Sequence, residues 1–192
     1  MKNEDLKFNK AMKELEKFVK ILEGDKKFNM SDKVFVSIET TGINLSTDKI
    51  LEIAALKVDK NDLKSLFHQI INPEKEIDEN ISNIIGYSNE ELKKYPKINE
   101  ISDNFINFIN SSILIGHNNG FIFGFLNKEF NVEISNEKID VFEIAKKKYP
   151  NENNSIDSLK KKSNININST FSSSLNEVLE LPKILDMLRL KN

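Results

Sequence analysis

Cysteine and tryptophan are absent from this sequence of 192 residues, and glycine and proline are scarce, with 6 and 4 copies. The lack of cysteine excludes a disulfide framework, a thiolate zinc site and a cysteine nucleophile, and it fits a reducing compartment. No apolar run reaches the roughly 18 residues that a membrane span needs, and residues 1–18 are too charged for a signal peptide. We therefore expect a cytoplasmic protein without a membrane partner.

An excess of positive charge is missing as well. Lysine and arginine together number 28 against 30 aspartates and glutamates, which gives a net charge of -2. The chain as a whole therefore has no electrostatic reason to bind a polyanion, and nucleic-acid binding would have to come from a local site. With 39% hydrophobic and 30% charged residues, the composition predicts a soluble globular fold, and the length fits one domain, or one domain plus an appended helix.

The appended helix is predicted near the N-terminus. Apolar residues recur there every three or four positions, with Lys and Glu between them, at Phe8, Met12, Leu15, Val19 and Leu22. This stripe either docks on the main domain or contacts a protein partner, and both interpretations stay open. We assign residues 1–30 to this helix and its linker, and residues 31–192 to the main domain.

The main domain begins with strands. Alternating apolar residues predict strands at 34–39, 50–58 and 63–73, and a short apolar run predicts another at 113–116. Helices are predicted after residue 73, starting from a capping box formed by Ser88 and Glu91. Further helical patterns cover 98–108, a segment from 121, 139–148, 155–162 and 175–189. This order predicts an α/β layer structure with a mixed sheet.

Several landmarks carry a family resemblance: S-I-E-T-T-G at 37–42, E-I-A-A at 52–55, I-N-P at 71–73, S-N-E-E-L at 88–92 and G-H-N at 116–118 followed by Phe121. In this order and spacing, the chain resembles the DnaQ-like (DEDDh) 3′-to-5′ exonucleases, the family of the DNA polymerase III epsilon subunit. The resemblance covers about residues 33–190. It implies a ribonuclease-H-like exonuclease fold, with a mixed five-stranded sheet flanked by helices.

The resemblance also implies a two-metal mechanism in which carboxylates hold Mg²⁺ or Mn²⁺. Glu39 matches the family glutamate and Glu177 falls on a family aspartate, so these two carboxylates remain as weak metal ligands. Three other catalytic positions are changed. Ser37 and Ile122 stand where the family has aspartates, and Ser172 stands where it has the histidine base.

Neither of the two histidines fills the vacant base position. His68 lies inside the third strand pattern, and His117 occupies its own family position beside Asn118. The resemblance places His117 and Asn118 next to the substrate, although both also suit a structural role in the strand–helix turn. It further implies that the backbone of the turn at 40–42 (Thr40, Thr41 and Gly42) holds the terminal nucleotide.

Three functions follow from this reading. The first is a pseudo-enzyme that binds DNA or RNA 3′ ends after hydrolysis has been lost or severely weakened. The second is a weakly active exonuclease in which Glu39 and Glu177 hold Mg²⁺ or Mn²⁺. The third is a protein-interaction scaffold that uses the N-terminal helix and needs no cofactor.

Overall fold

The computed structural model describes residues 31–59, 64–164 and 172–189. The predicted N-terminal helix lies outside these residues. The division of the chain at residue 30 therefore stays a prediction.

Five strands form one mixed sheet in the order β3-β2-β1-β4-β5. β1 pairs with β2 and β2 with β3 in antiparallel register, whereas β4 runs parallel to both β1 and β5. Their bounds are Lys33–Thr40 (β1), Ile50–Val58 (β2), Lys64–Ile70 (β3), Ile113–Gly116 (β4) and Lys138–Asp140 (β5). This sheet confirms the predicted fold class.

Helices cover both faces of the sheet. In the described residues they run Glu79–Ile85 (α1), Asn89–Leu92 (α2), Ile98–Ile109 (α3), Asn119–Phe130 (α4), Val141–Lys148 (α5), Ile156–Lys162 (α6) and Ser173–Arg189 (α7). The predicted capping box is confirmed, because Ser88 accepts from the Glu91 amide and Glu91 reaches back to the Ser88 amide. None of these helices is both long enough and apolar enough to span a membrane.

The helix predicted at 139–148 begins later than expected. Residues 138–140 form β5, and Asp140 then caps α5 by accepting a hydrogen bond from the Phe142 amide at 2.9 Å. A strand of three residues is too short to show an alternating pattern, so its pairing with β4 decides its structure.

Two apolar layers lie on opposite faces of the sheet, because successive side chains of β1 point to opposite sides. Phe35 packs with α7 residues such as Val178 on one face. Val36 packs with Phe105 of α3 and Ile122 of α4 on the other. We call these the α7 face and the α4 face.

The register brings four polar side chains onto the α7 face. Ser37 and Glu39 share the orientation of Phe35 on β1, and Glu39 is paired directly with Glu52 of β2. Ala54, which belongs to the α7-face cluster, is paired with His68 of β3. Ser37, Glu39, Glu52 and His68 therefore form a row across three strands, and α7 packs over β1 and β2 beside it.

Candidate active site

The first turns of α7 meet the polar row of β1. The hydroxyl of Ser37, whose residue is only 3% exposed, donates a hydrogen bond to the Glu177 carboxylate. Ser173 donates in the same way to Glu39. The structure thus places Ser37, Glu39 and Glu177 together, and each carboxylate already accepts a bond from a serine of this chain.

Glu52 is the centre of a second group that the sequence reading did not include. It is 2% exposed, and its Oε1 atom accepts hydrogen bonds from Ser172 and, at 2.6 Å, from Ser174. His68 Nε2 lies 2.7 Å from the same oxygen. Glu52 was visible only as part of the E-I-A-A landmark, and its role depends on a cross-strand register that one sequence does not reveal.

The carboxylates of the site resist ionising together. Burial raises the pKa of Glu177 to about 7, and the neighbouring charge of Glu39 adds to the shift, while the hydrogen bond from Ser37 opposes it. Burial also raises the pKa of Glu39, against the hydrogen bond from Ser173, and the charge of Glu52 raises it further. At neutral pH the pair therefore carries less than two full negative charges.

A lysine stands at the α6 side of the site. Lys160 Nζ lies 2.8 Å from Glu180 Oε2, and it also acts electrostatically on Glu177. Burial raises the pKa of Glu180, and the hydrogen bond from Lys160 partly offsets this. The run of lysines at the end of α6 is typical of solvent-exposed charges, but Lys160 forms an ion pair with Glu180.

Ile122 does not join the carboxylates. It is 3% exposed within the α4-face cluster, on the opposite side of β1 from Ser37 and Glu39. A Cβ atom built on Gly116, the last residue of β4, would come within 2.7 Å of Ile122 Cδ1, so the isoleucine fills the space above that glycine. A packed core residue thus occupies the position to which the resemblance assigns an aspartate.

The turn at 40–42 is held by Asp48. Its carboxylate accepts from Thr41 Oγ1 at 3.1 Å and from the Asn44 amide at 2.8 Å. A Cβ atom on Gly42 would come within 2.4 Å of Asp48 Oδ2, so a larger residue there would force the carboxylate or the turn to shift. The bond from Asn44 lowers the pKa of Asp48, so the carboxylate that bridges the turn stays ionised at neutral pH.

His117 and Asn118 fix the turn between β4 and α4. His117 Nε2 lies 2.8 Å from the Asn154 carbonyl oxygen, and its ring packs edge-on against Phe142. Asn118 has a φ of 71°, and its amide donates to Asp140 at 3.0 Å. These contacts give both residues a structural role, and their contact with a substrate stays a prediction.

A two-metal centre does not fit these residues. Within 31–59, 64–164 and 172–189, no three His, Asp or Glu side chains are arranged so that they could hold a metal ion. Ser37 is neutral and bonded to Glu177, Ile122 is apolar and buried, and Ser172 is bonded to Glu52. Hard dications need several oxygen ligands, and hydroxyl groups of the chain occupy the carboxylates here.

The chain matches known exonucleases in sequence. A family model described as "Exonuclease" covers residues 34–172. The DNA polymerase III subunit epsilon of Buchnera aphidicola subsp. Baizongia pistaciae is 33% identical over 167 residues, which are 79% of this chain and 68% of that protein. The PolC-type DNA polymerase III of Halalkalibacterium halodurans is 31% identical over 142 residues, 71% of this chain.

The fold also matches solved exonuclease structures. Exonuclease X in complex with 5′ overhanging duplex DNA superposes with a TM-score of 0.60 at 17% identity, covering 81% of this chain and 90% of that one. Escherichia coli Exonuclease I in complex with a dT13 oligonucleotide gives a TM-score of 0.70 at 14% identity, covering 83% of this chain and 41% of that one. At these identities the likeness concerns the fold.

The matched region is small compared with some of these relatives. It spans only 10% of the length of the PolC-type polymerase. The family model, however, covers well over half of the present chain, and the epsilon subunit is matched over two thirds of its own length. The chain therefore belongs to the exonuclease family, in the DnaQ-like group that includes the DNA polymerase III epsilon subunits.

Proposed function

We propose that this domain binds nucleic-acid 3′ ends and that its hydrolytic activity is lost or severely weakened. One observation carries the proposal: serine hydroxyls of the chain itself occupy all three glutamates of the site. Ser37 bonds to Glu177, Ser173 to Glu39, and both Ser172 and Ser174 to Glu52. Hydrogen-bond donors of the chain thus contact the carboxylates that would otherwise be free to bind cations.

The expected loss in hydrolysis rate follows from the absence of carboxylates and of a histidine at positions where the family has them. Exonucleases of this family generally use divalent metals, and two Mg²⁺ ions bring four positive charges that ionised carboxylates must balance. Here Glu177 has a pKa of about 7, and two family aspartate positions are Ser37 and Ile122. Ser172 stands at the family's base position, and a missing general base lowers a rate by about 10²- to 10⁴-fold.

Binding is supported by the retained turn and by the relatives. The turn at 40–42 is fixed by Asp48, so its backbone groups are preorganised for a terminal nucleotide. Exonuclease I and Exonuclease X, which share the fold, have been solved with DNA. Because the net charge is -2, we expect affinity to come from contacts with the 3′ end rather than from a general attraction to polyanions.

One observation favours the weakly active alternative. The charge of Glu39 raises the pKa of Glu177, and that of Glu52 raises the pKa of Glu39. A single Mg²⁺ or Mn²⁺ ion would relieve this repulsion if the serine bonds opened. Slow trimming that depends on such an ion would support this alternative.

The test measures binding and trimming separately. Fluorescence anisotropy should compare linear single-stranded DNA and RNA that carry a free 3′ end with closed circles of the same sequence. We expect tighter binding of the linear molecules, with little or no 3′ trimming on gels in Mg²⁺ or Mn²⁺. Equal affinity for linear and circular molecules would contradict 3′-end binding, and rapid trimming would contradict the loss of hydrolysis.

A further inference from the structure

An imidazole lies beside the position where the family places its catalytic histidine. Ser172 occupies that position, and its hydroxyl bonds to Glu52 Oε1. His68 Nε2 lies 2.7 Å from the same oxygen atom. Hydrogen bonds between oxygen and nitrogen atoms are shorter than about 3 Å. Ser172 Oγ and His68 Nε2, which both contact Glu52 Oε1, therefore lie within about 6 Å of each other.

His68 reaches this place from a different strand. It lies on β3, paired with Ala54, and projects on the α7 face together with Glu52 and Glu39. The contact with Glu52 is a diagonal cross-strand pair, because Glu52 itself is paired with Ile70. The sequence position of His68 gives no sign of this, since it is 104 residues before Ser172 (172 − 68).

In the contact between Glu52 and His68, a buried carboxylate can orient the imidazole as a base. Glu52 is buried at 2% exposure, and Ser172 and Ser174 fix its carboxylate in one orientation. When Nε2 donates its proton to Glu52, the tautomer is set and Nδ1 becomes the acceptor. The His68 side chain is 31% exposed, so the imidazole is accessible to water.

We propose that His68 is the general base for the hydrolysis that this cleft retains or regains, and that Glu52 positions it. The proposal rests on the proposed binding of 3′ ends. Nδ1 of His68 takes a proton from water, whose oxygen forms a bond to the terminal phosphorus. The bond from phosphorus to the 3′ oxygen of the preceding nucleotide breaks, and that oxygen leaves with a proton from solvent.

The first test uses a variant in which only the aspartate of β1 is restored, because Ile122 lies in the α4-face cluster, away from the carboxylates. In Ser37→Asp, with Ser172 and Ile122 unchanged, we expect Mg²⁺-dependent 3′ trimming of DNA or RNA. Adding His68→Asn should lower the rate by about 100-fold or more, while 3′-end affinity changes less than about twofold. Gln69→Ala, the neighbouring position on the opposite face of β3, is the matched control and should keep the rate.

Two outcomes of this test would overturn the proposal. One is trimming that His68→Asn leaves unchanged. The other is a folded Ser37→Asp variant that trims only after Ser172→His is added, or not at all. If linear and circular oligonucleotides bind equally, the proposed 3′-end binding has failed instead, so the anisotropy measurement separates the two failures.

A second measurement does not need the restored variant to fold. The unmodified protein has two histidines, and the His68 imidazole signal in an NMR spectrum is assigned by its loss in His68→Asn. Addition of a single-stranded oligonucleotide with a free 3′ end should shift this signal, and a closed circle should not. A bound 3′ end that leaves the His68 signal unmoved would overturn the proposal.

Discussion

Each carboxylate of the site accepts a hydrogen bond from a serine hydroxyl of the chain. Ser37 and Glu177 form one such pair, and Ser173 and Glu39 form another. A serine hydroxyl satisfies one lone pair of a carboxylate but carries no charge. Burial and mutual repulsion therefore remain uncompensated, and they appear as the raised pKa values of Glu177 and Glu39.

The raised pKa of Glu177 predicts a pH-dependent stability. The folded state holds this proton up to a pKa of about 7, whereas the unfolded state releases it near 4.5. The stabilising contribution is therefore present below pH 4.5 and is lost as the pH rises to 7. Allowing for partial exposure of the side chain, we expect a loss on the order of 2 kcal/mol in unfolding free energy.

Urea denaturation between pH 4.5 and pH 8 measures this effect. Glu177→Gln should flatten the pH dependence over that range, because the amide does not titrate. Glu133→Gln, at an exposed position before Ile134, serves as the control and should keep the slope. Parallel curves for Glu177→Gln and the unmodified protein would show that Glu177 ionises normally.

The packing of Ile122 predicts the cost of restoring an aspartate. Ile122 is 3% exposed and fills the space above Gly116, so Ile122→Asp would bury a carboxylate without a partner. We expect a loss of about 3 to 5 kcal/mol, against about 0.5 to 1.5 kcal/mol for Ile122→Val. Thermal and urea unfolding of both variants checks this. Equal losses would mean that the aspartate reaches solvent or a partner.

Among the secondary-structure elements, those with long regular patterns were predictable. β1, β2 and the helices of the C-terminal half follow from periodicity, β4 follows from its apolar run, and α2 follows from its cap at Ser88. β5 was not, because its three residues carry no pattern. The contacts of Glu52 with His68, Ser172 and Ser174 were not predicted from the sequence either. They depend on strand register and on a serine-rich stretch that resembles a linker when read alone.

The packing of the turn at 40–42 predicts that Gly42→Ala weakens the binding of 3′ ends. Gly42→Ala would bring its Cβ within 2.4 Å of Asp48 Oδ2, so the turn must open or the carboxylate must move. We expect the preference for linear over circular oligonucleotides to fall by about tenfold or more. Gly120→Ala on α4 is the matched control, because its new Cβ would come no closer than 3.9 Å to a neighbour.

Anisotropy titrations of the two glycine variants check this prediction. The control should retain the 3′-end preference of the unmodified protein, since alanine favours a helix. If Gly42→Ala retains it as well, the turn takes no part in holding the terminal nucleotide. Binding would then have to depend on another part of the domain.

At the scale of the whole molecule, the chain has the exonuclease fold although Ser37 and Ile122 stand where the resemblance places aspartates. Strand pairing and the two apolar layers specify the sheet. Among the positions that the resemblance marks as catalytic, only Ile122 belongs to one of these layers. The family landmarks therefore predicted the architecture correctly. They could not predict which new contacts the substituted residues make, because those contacts are absent from the family pattern.

This retained fold with a changed site predicts weak metal binding. Isothermal titration with Mg²⁺ should show no site tighter than the millimolar range, since Glu39 and Glu177 cannot balance a pair of dications. Ser37→Asp should tighten binding only modestly, because the other ligand positions stay changed. Two micromolar sites in the unmodified protein would contradict the interpretation of the serine–glutamate pairs.

The most direct test compares 3′ trimming by the unmodified protein and by Ser37→Asp/Ser172→His on the same labelled DNA and RNA in Mg²⁺ and Mn²⁺. We predict that both bind free 3′ ends, and that the unmodified protein trims at least about 100-fold more slowly than the folded double variant. Trimming by the unmodified protein at the rate of the double variant would contradict the claim that hydrolysis is lost or severely weakened.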